Sequence, residues 1–133
     1  MTKQTLIGLD VGEKRIGVAI ADTGVRIAVP IATLEVDGTE VSKIAEAVLR
    51  EGATTLVLGY PRNQQGEATE QTAFVERFAE QLTDIPAQVV YQDESLTSVM
   101  AEQRLKSYGR PYEKGDIDAQ AAAIILQDFV ERM

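Results

Sequence analysis

The chain has 133 residues, of which 44% are hydrophobic and 26% charged, and a net charge of −8. That size and mixture specify a single globular domain over residues 1–133 with a packed core, and leave no room for a second lobe. Cysteine and histidine are both absent, which excludes disulfides, cysteine nucleophiles, Ser-His-Asp triads and zinc held by sulfur or imidazole. Catalysis must then rest on carboxylates, hydroxyls, lysine or a metal with oxygen ligands. The acidic balance weakens non-specific attachment to a polyanion. The start MTKQTLIGLDVGEK leads into no long apolar segment, and no run approaches the roughly 18 apolar residues of a membrane span; a cytoplasmic protein without a membrane partner is expected.

In chain order, residues 4–10, 15–22 and 25–34 are short Ile- and Val-rich segments separated by VGEK and TG, and such close turns predict antiparallel neighbours. Val41, Ile44, Ala45, Val48 and Leu49 then follow helical spacing, with Gly52 suited to end the helix. TTLVLGYP (54–61) reads as a strand buried on both faces, NQQGE as a polar loop, and 68–82 as a helix with Phe74, Val75, Phe78 and Leu82 on its apolar side. AQVVYQDE is a short strand ending in carboxylates. Residues 96–107 read as a helix, 108–116 as a loop with Gly109 and Pro111, and 117–133 as a final helix. Right-handed crossovers would add the later strands parallel to the first, giving an α/β fold: a mixed five-stranded sheet with helices on both faces.

Ligands of such open sheets gather beyond the carboxyl ends of the parallel strands. Asp10 ends the first strand, Glu94 ends the last and Asp118 opens the final helix, so three acids remote in sequence are candidates to converge at one edge. Each also has a plain structural alternative. Asp10 is a suitable turn residue for the amides of Val11 to Glu13, and Asp93 or Glu94 a suitable cap for the helix near Leu96. Asp118 is the awkward one, because it lies on or beside the apolar stripe of Ala121, Ala122 and Ile125, where an unpaired carboxylate is costly; Asp116 is the easier cap. Several carboxylates at one site repel, so without a cation at least one keeps its proton. Magnesium or manganese would resolve the conflict, and two ions about 4 Å apart would serve both sides of a phosphodiester.

Cations flank these positions. Lys14 and Arg15 follow Asp10 directly, beside Gly12 and Gly17, which suit a tight turn and close backbone approach to a ligand. Arg62 and Asn63 open the polar loop on the same edge. Arg104, Lys106, Arg110 and Lys114 oppose only Glu113 between 104 and 114, a local charge of +3. Each group is a candidate phosphate contact, and equally an exposed hairpin tip, surface loop or solvated helix end. Thr97 suits a helix cap as well as a substrate contact.

The blocks GLDVGEKRIGVAIAD, LVLGYPRNQQGE, YQDESLT and DIDAQAAAIIL stand in the order and near the spacing of the YqgF/RuvX family, and the chain resembles a full-length member over about residues 5–130. The resemblance implies an RNase H-like fold and a metal-dependent nuclease in 5′-end processing of precursor 16S rRNA, with Holliday-junction resolution on DNA the older alternative. It matches Asp10, Glu94 and Asp118 to the family's catalytic, metal-binding acids. Ser95 stands where many members have arginine, which removes one phosphate contact. A monomer suits cleavage of a single strand, whereas symmetric junction cutting needs a homodimer. Two other classes compete: a non-catalytic nucleic-acid-binding module, and a sugar kinase or ATPase fragment sharing the D-x-G turn. Length disfavours the fragment, since those enzymes close two lobes over the nucleotide.

Overall fold

The computed structural model describes residues 3–63, 65–94 and 97–133. Strands β1 (Thr5–Val11) and β2 (Arg15–Asp22) form an antiparallel hairpin closed by a hydrogen bond from Gly12 N to Arg15 O at 3.0 Å. Strand β3 (Val29–Glu35) lies antiparallel to β2 at the sheet edge. It starts four residues later than the apolar pattern suggests, because the Asp22 carboxylate accepts from the amides of Gly24 and Val25 and curls the chain into a turn.

Helix α1 (Glu40–Glu51) ends at Gly52, whose φ of 65° is the left-handed cap that glycine adopts at least cost. It buries Ile44, Ala47 and Val48, while Leu49, expected on the apolar stripe, is 72% exposed. Strand β4 (Ala53–Pro61) follows, then α2 (Glu70–Glu80), capped by Thr69 and Thr72 in reciprocal hydrogen bonds. Strand β5 (Gln88–Glu94), α3 (Thr97–Ser107) and α4 (Lys114–Glu131) complete the chain. The last helix begins three residues before the expected start. Asp116 is its third residue rather than its cap, and accepts from the amide of Glu113 at 2.9 Å.

The sheet order is β3-β2-β1-β4-β5, with β4 parallel to both β1 and β5, as the crossover rule requires. Alternation of side chains then sorts the sheet into two faces. Ile7, Leu9, Leu56 and Leu58 pack with α1 and α2, and Leu6 and Val57 pack with α4. Continuing that second face toward the strand ends brings in Gly8 and Asp10 on β1, Gly59 on β4, and Gln92 and Glu94 on β5.

Candidate active site at the carboxyl edge of the sheet

Asp10 pairs across the hairpin with Gly17, and both turn toward α4. A Cβ at Gly17 would stand 1.9 Å from Asp118 O and 2.8 Å from Ala119 N, so only glycine lets the backbone of α4 lie this close to β2. The expectation that Gly17 makes room for a ligand is corrected accordingly: its space is taken by the second turn of α4. Gly59 does a similar job for β5, since a Cβ there would meet the Glu94 carboxyl at 3.0 Å and Ile125 Cδ1 at 2.6 Å. Two glycines therefore decide how near Asp118 and Glu94 come to Asp10.

Burial first, and then the negative charges of Glu94 and Asp118, together raise the Asp10 carboxyl from its ordinary 3.8 to about 7. The three acids expected at one edge thus share one electrostatic neighbourhood. The hairpin turn is held by the backbone bond from Gly12 to Arg15, so Asp10 is spared the turn-capping role open to it in the sequence. Asp118 meets the cost of its position beside the apolar stripe through Arg15, whose Nε donates to Oδ2 at 2.6 Å. That bond and the charge behind it raise the Arg15 pKa above its usual value. No group of three His, Cys, Asp or Glu side chains among the described residues is arranged to hold a metal ion as it stands. One oxygen of Asp118 is occupied by the guanidinium.

The other expected contacts divide. Lys14 sits at the hairpin tip, where its carbonyl accepts from Val36 N. Arg62 lies with its guanidinium 5.0 Å from the Tyr60 ring centre and 3.6 Å from Asp93, beside a tilted Tyr60–Tyr91 ring pair. Asn63 is committed to its own loop, accepting from the amides of Gln65 and Glu67. Arg104, Lys106 and Arg110 lie on the last turns of α3 and the loop after it, and Lys114 begins α4. Ser95 and the side chain of Thr97 lie outside the described residues. Sequence reasoning placed Tyr60 at this edge but overlooked Tyr91, which lies mid-strand in β5 and meets Tyr60 only through the pairing of β4 with β5.

A five-stranded sheet in this order, three antiparallel strands extended by two parallel ones and covered by helices on both faces, is the RNase H-like fold of the resolvases. RuvC of T. thermophilus, solved with a Holliday junction substrate, superposes with a TM-score of 0.60 at 13% identity, over 97% of this chain and 94% of that one. The fowlpox virus resolvase, solved with Holliday junction DNA, gives 0.56 at 14%, over 97% and 98%. Sequence assigns the family. The family described as "RuvX: Holliday junction resolvase" matches residues 4–132. A protein of Chloroflexus aggregans named "Putative pre-16S rRNA nuclease" is 43% identical over 98% of this chain and 96% of its own length. One of the same name from Salinibacter ruber is 37% identical over 96% and 92%. The chain belongs to the RuvX family, a family of nucleases.

Proposed function

We propose that this nuclease hydrolyses phosphodiester bonds of precursor 16S rRNA at the 5′ side, in the cytoplasm, with Asp10, Glu94 and Asp118 as its catalytic acids and a divalent cation as cofactor. The observation that carries the reading is Asp10: a largely buried carboxyl whose pKa is pushed to about 7 with two further acids at its side. Such a carboxyl still keeps its proton in about half the molecules at neutrality, an arriving positive charge would favour its ionised form, and its oxygens are hard donors of the kind magnesium and manganese prefer. Asp10 and Glu94 would supply carboxylate oxygens to a cation, and Asp118 would join them by exchanging Arg15 for the ion. When bound, the cation would supply activation of water and stabilisation of the departing oxygen.

The protein's own groups do the rest. Asp10 holds or releases a proton according to whether the edge is charged. Arg15 holds Asp118 in place, and on release is positioned beside the acids to meet a phosphate oxygen. Lys14 and Arg62 flank the edge on either side, and the cations between 104 and 114 offer a track for the strand beyond the cut. The relatives' name supports RNA as substrate, while the family description and the junction-bound neighbours support branched DNA as the second reading.

One assay separates them: the protein and Asp10→Asn are each incubated with a 5′-extended 16S precursor RNA and with a four-way DNA junction, in manganese, magnesium or EDTA. Metal-dependent cleavage of the RNA by the unaltered protein alone is expected. Cleavage confined to the junction would move the assignment to resolution, and equal cleavage by Asp10→Asn would remove Asp10 from the mechanism.

A further inference from the structure

The ladder between β1 and β4 stops at Leu9 and Leu58, although β1 runs on to Val11 and β4 to Pro61. Beyond Leu58, β4 stays paired with β5 as far as Pro61 and Glu94. The sheet therefore splits at its carboxyl edge, with Asp10 on one lip and Glu94, carried along with β4, on the other. Strand ends without a ladder partner tend to fray, so the width of this split depends on whatever else holds the two lips.

The first turn of α2 spans it. Gln71 Nε2 donates to the carbonyl of Val11 at 3.2 Å, and the next residue, Thr72, donates from Oγ1 to the carbonyl of Pro61. Two consecutive side chains thus hold the last residue of β1, next to Asp10, and the last of β4, which pairs with Glu94. The turn is itself fixed by the reciprocal bonds between Thr69 and Thr72. The two holding residues differ in what else they do. Thr72 is fully buried and belongs to the packing of the helix, whereas Gln71 is exposed and has no place in the core. Val11, Val75 and Phe78 share one core cluster, so α2 braces the strands from the face opposite the acids, and Gln71 acts through the backbone beside Asp10.

We infer that Gln71 is a positioning residue, which together with Thr72 sets the separation of Asp10 and Glu94 across the split. The inference rests on the catalytic role proposed above for those two acids and adds the device that spaces them. Groups that act together on one substrate must be held to about 0.5 Å, and a displacement of about 1 Å by a change away from the chemistry slows a reaction on the order of a hundredfold. A single hydrogen bond at an exposed position then matters little to folding and much to catalysis.

The test is Gln71→Met in the full-length protein, which removes the donor while keeping side-chain length and helix propensity. Amide hydrogen exchange without added metal reads the brace directly. Exchange at Gly12, whose N–H closes the hairpin onto Arg15 O, is expected to quicken roughly tenfold, with Ile7 in mid-strand unchanged and the melting temperature within a few degrees. With manganese and the 5′-extended precursor RNA, kcat is expected to fall roughly tenfold or more while KM holds, and manganese affinity by calorimetry to weaken roughly tenfold. Thr72→Val should lower kcat too, and the double variant should lose little more than the worse single one, as two ends of one brace do. Unchanged exchange at Gly12 would overturn the brace. Faster exchange with kcat and manganese affinity unchanged would overturn the positioning role, and a rise in KM alone would make Gln71 a substrate contact instead. An unaltered protein that neither cleaves nor takes up manganese removes the parent assignment, and the positioning role with it, whatever the exchange shows.

Discussion

The two faces of the sheet are packed differently. Toward α1 and α2 the interface is made of large side chains, Ile44, Val48, Val75, Phe78 and Leu82 against Ile7, Leu9, Leu56 and Leu58, which hold the helices at the distance their bulk dictates. Toward α4 the large side chains Leu6, Val57, Ile125 and Leu126 are interspersed with small ones, Ala19, Ala21, Ala122 and Ala123, and Gly8, Gly17 and Gly59 stand at the points of closest approach. At Gly8 a Cβ would come within 2.8 Å of Leu126 Cβ. The first face stabilises the domain through buried area. The second brings a helix backbone against the strands so that an acid on that helix reaches an acid at a strand end. Stability and placement of the site are thus assigned to different sides of one sheet.

Substitutions on the two faces should separate these roles, and the largest effect is expected at Gly17. Gly17→Ala puts a methyl group where three backbone atoms of α4 already are, and neither side gives way easily. A loss of more than about 3 kcal/mol in urea denaturation is expected, with cleavage activity lost even where the fold survives. On the other face, Leu82→Ala removes a side chain with no exposed surface and should cost about 3 kcal/mol. Its remaining folded fraction should cleave at the normal rate, and a large fall in rate per folded molecule would break the division.

Asp10 sharpens the comparison because it is a site residue that works against stability. Its folded pKa is about 7 against 3.8 when free. Between those values the native state therefore holds a proton that the unfolded chain has lost, and unfolding free energy falls as pH rises from about 4 to about 7. Asp10→Asn should abolish that slope and stabilise the metal-free protein at pH 8 by about 2 kcal/mol, a discounted share of about 1.36 kcal/mol per unit. Urea midpoints at pH 5 and 8 check both statements. The smallest effect is expected at Thr72, fully buried at the start of α2, which donates to the carbonyl of Pro61 and accepts from Thr69 N. Thr72→Val should cost about 1 kcal/mol and loosen the end of β4 beside Arg62; a loss above that of Leu82→Ala would contradict the contrast drawn here.

Much of this was legible in the sequence, for physical reasons that can be named. Short apolar runs located the strands and helical spacing the helices, and crossover handedness predicted that the later strands lie parallel to the first. The start of β3 was misplaced because one carboxylate, Asp22, outweighs an apolar run of residues. Leu49 misled because a stripe only a few turns long does not say how wide the buried strip is. The acids at 10, 94 and 118 were visible as an unusual set in a chain without histidine. Their spacing was not, since it depends on Gly17 and Gly59, whose lack of a side chain carries meaning only once a helix is seen lying there.

The central claim is that the three acids form a cation site poised by Asp10. Isothermal titration of manganese into the unaltered protein and into Asp10→Asn, at pH 6 and at pH 8, tests it most directly. The account predicts clear uptake by the unaltered protein at pH 8, weaker by roughly tenfold at pH 6 where Asp10 carries its proton, and none by Asp10→Asn. Equal uptake by both proteins, or uptake indifferent to pH, would place the ion elsewhere and contradict it.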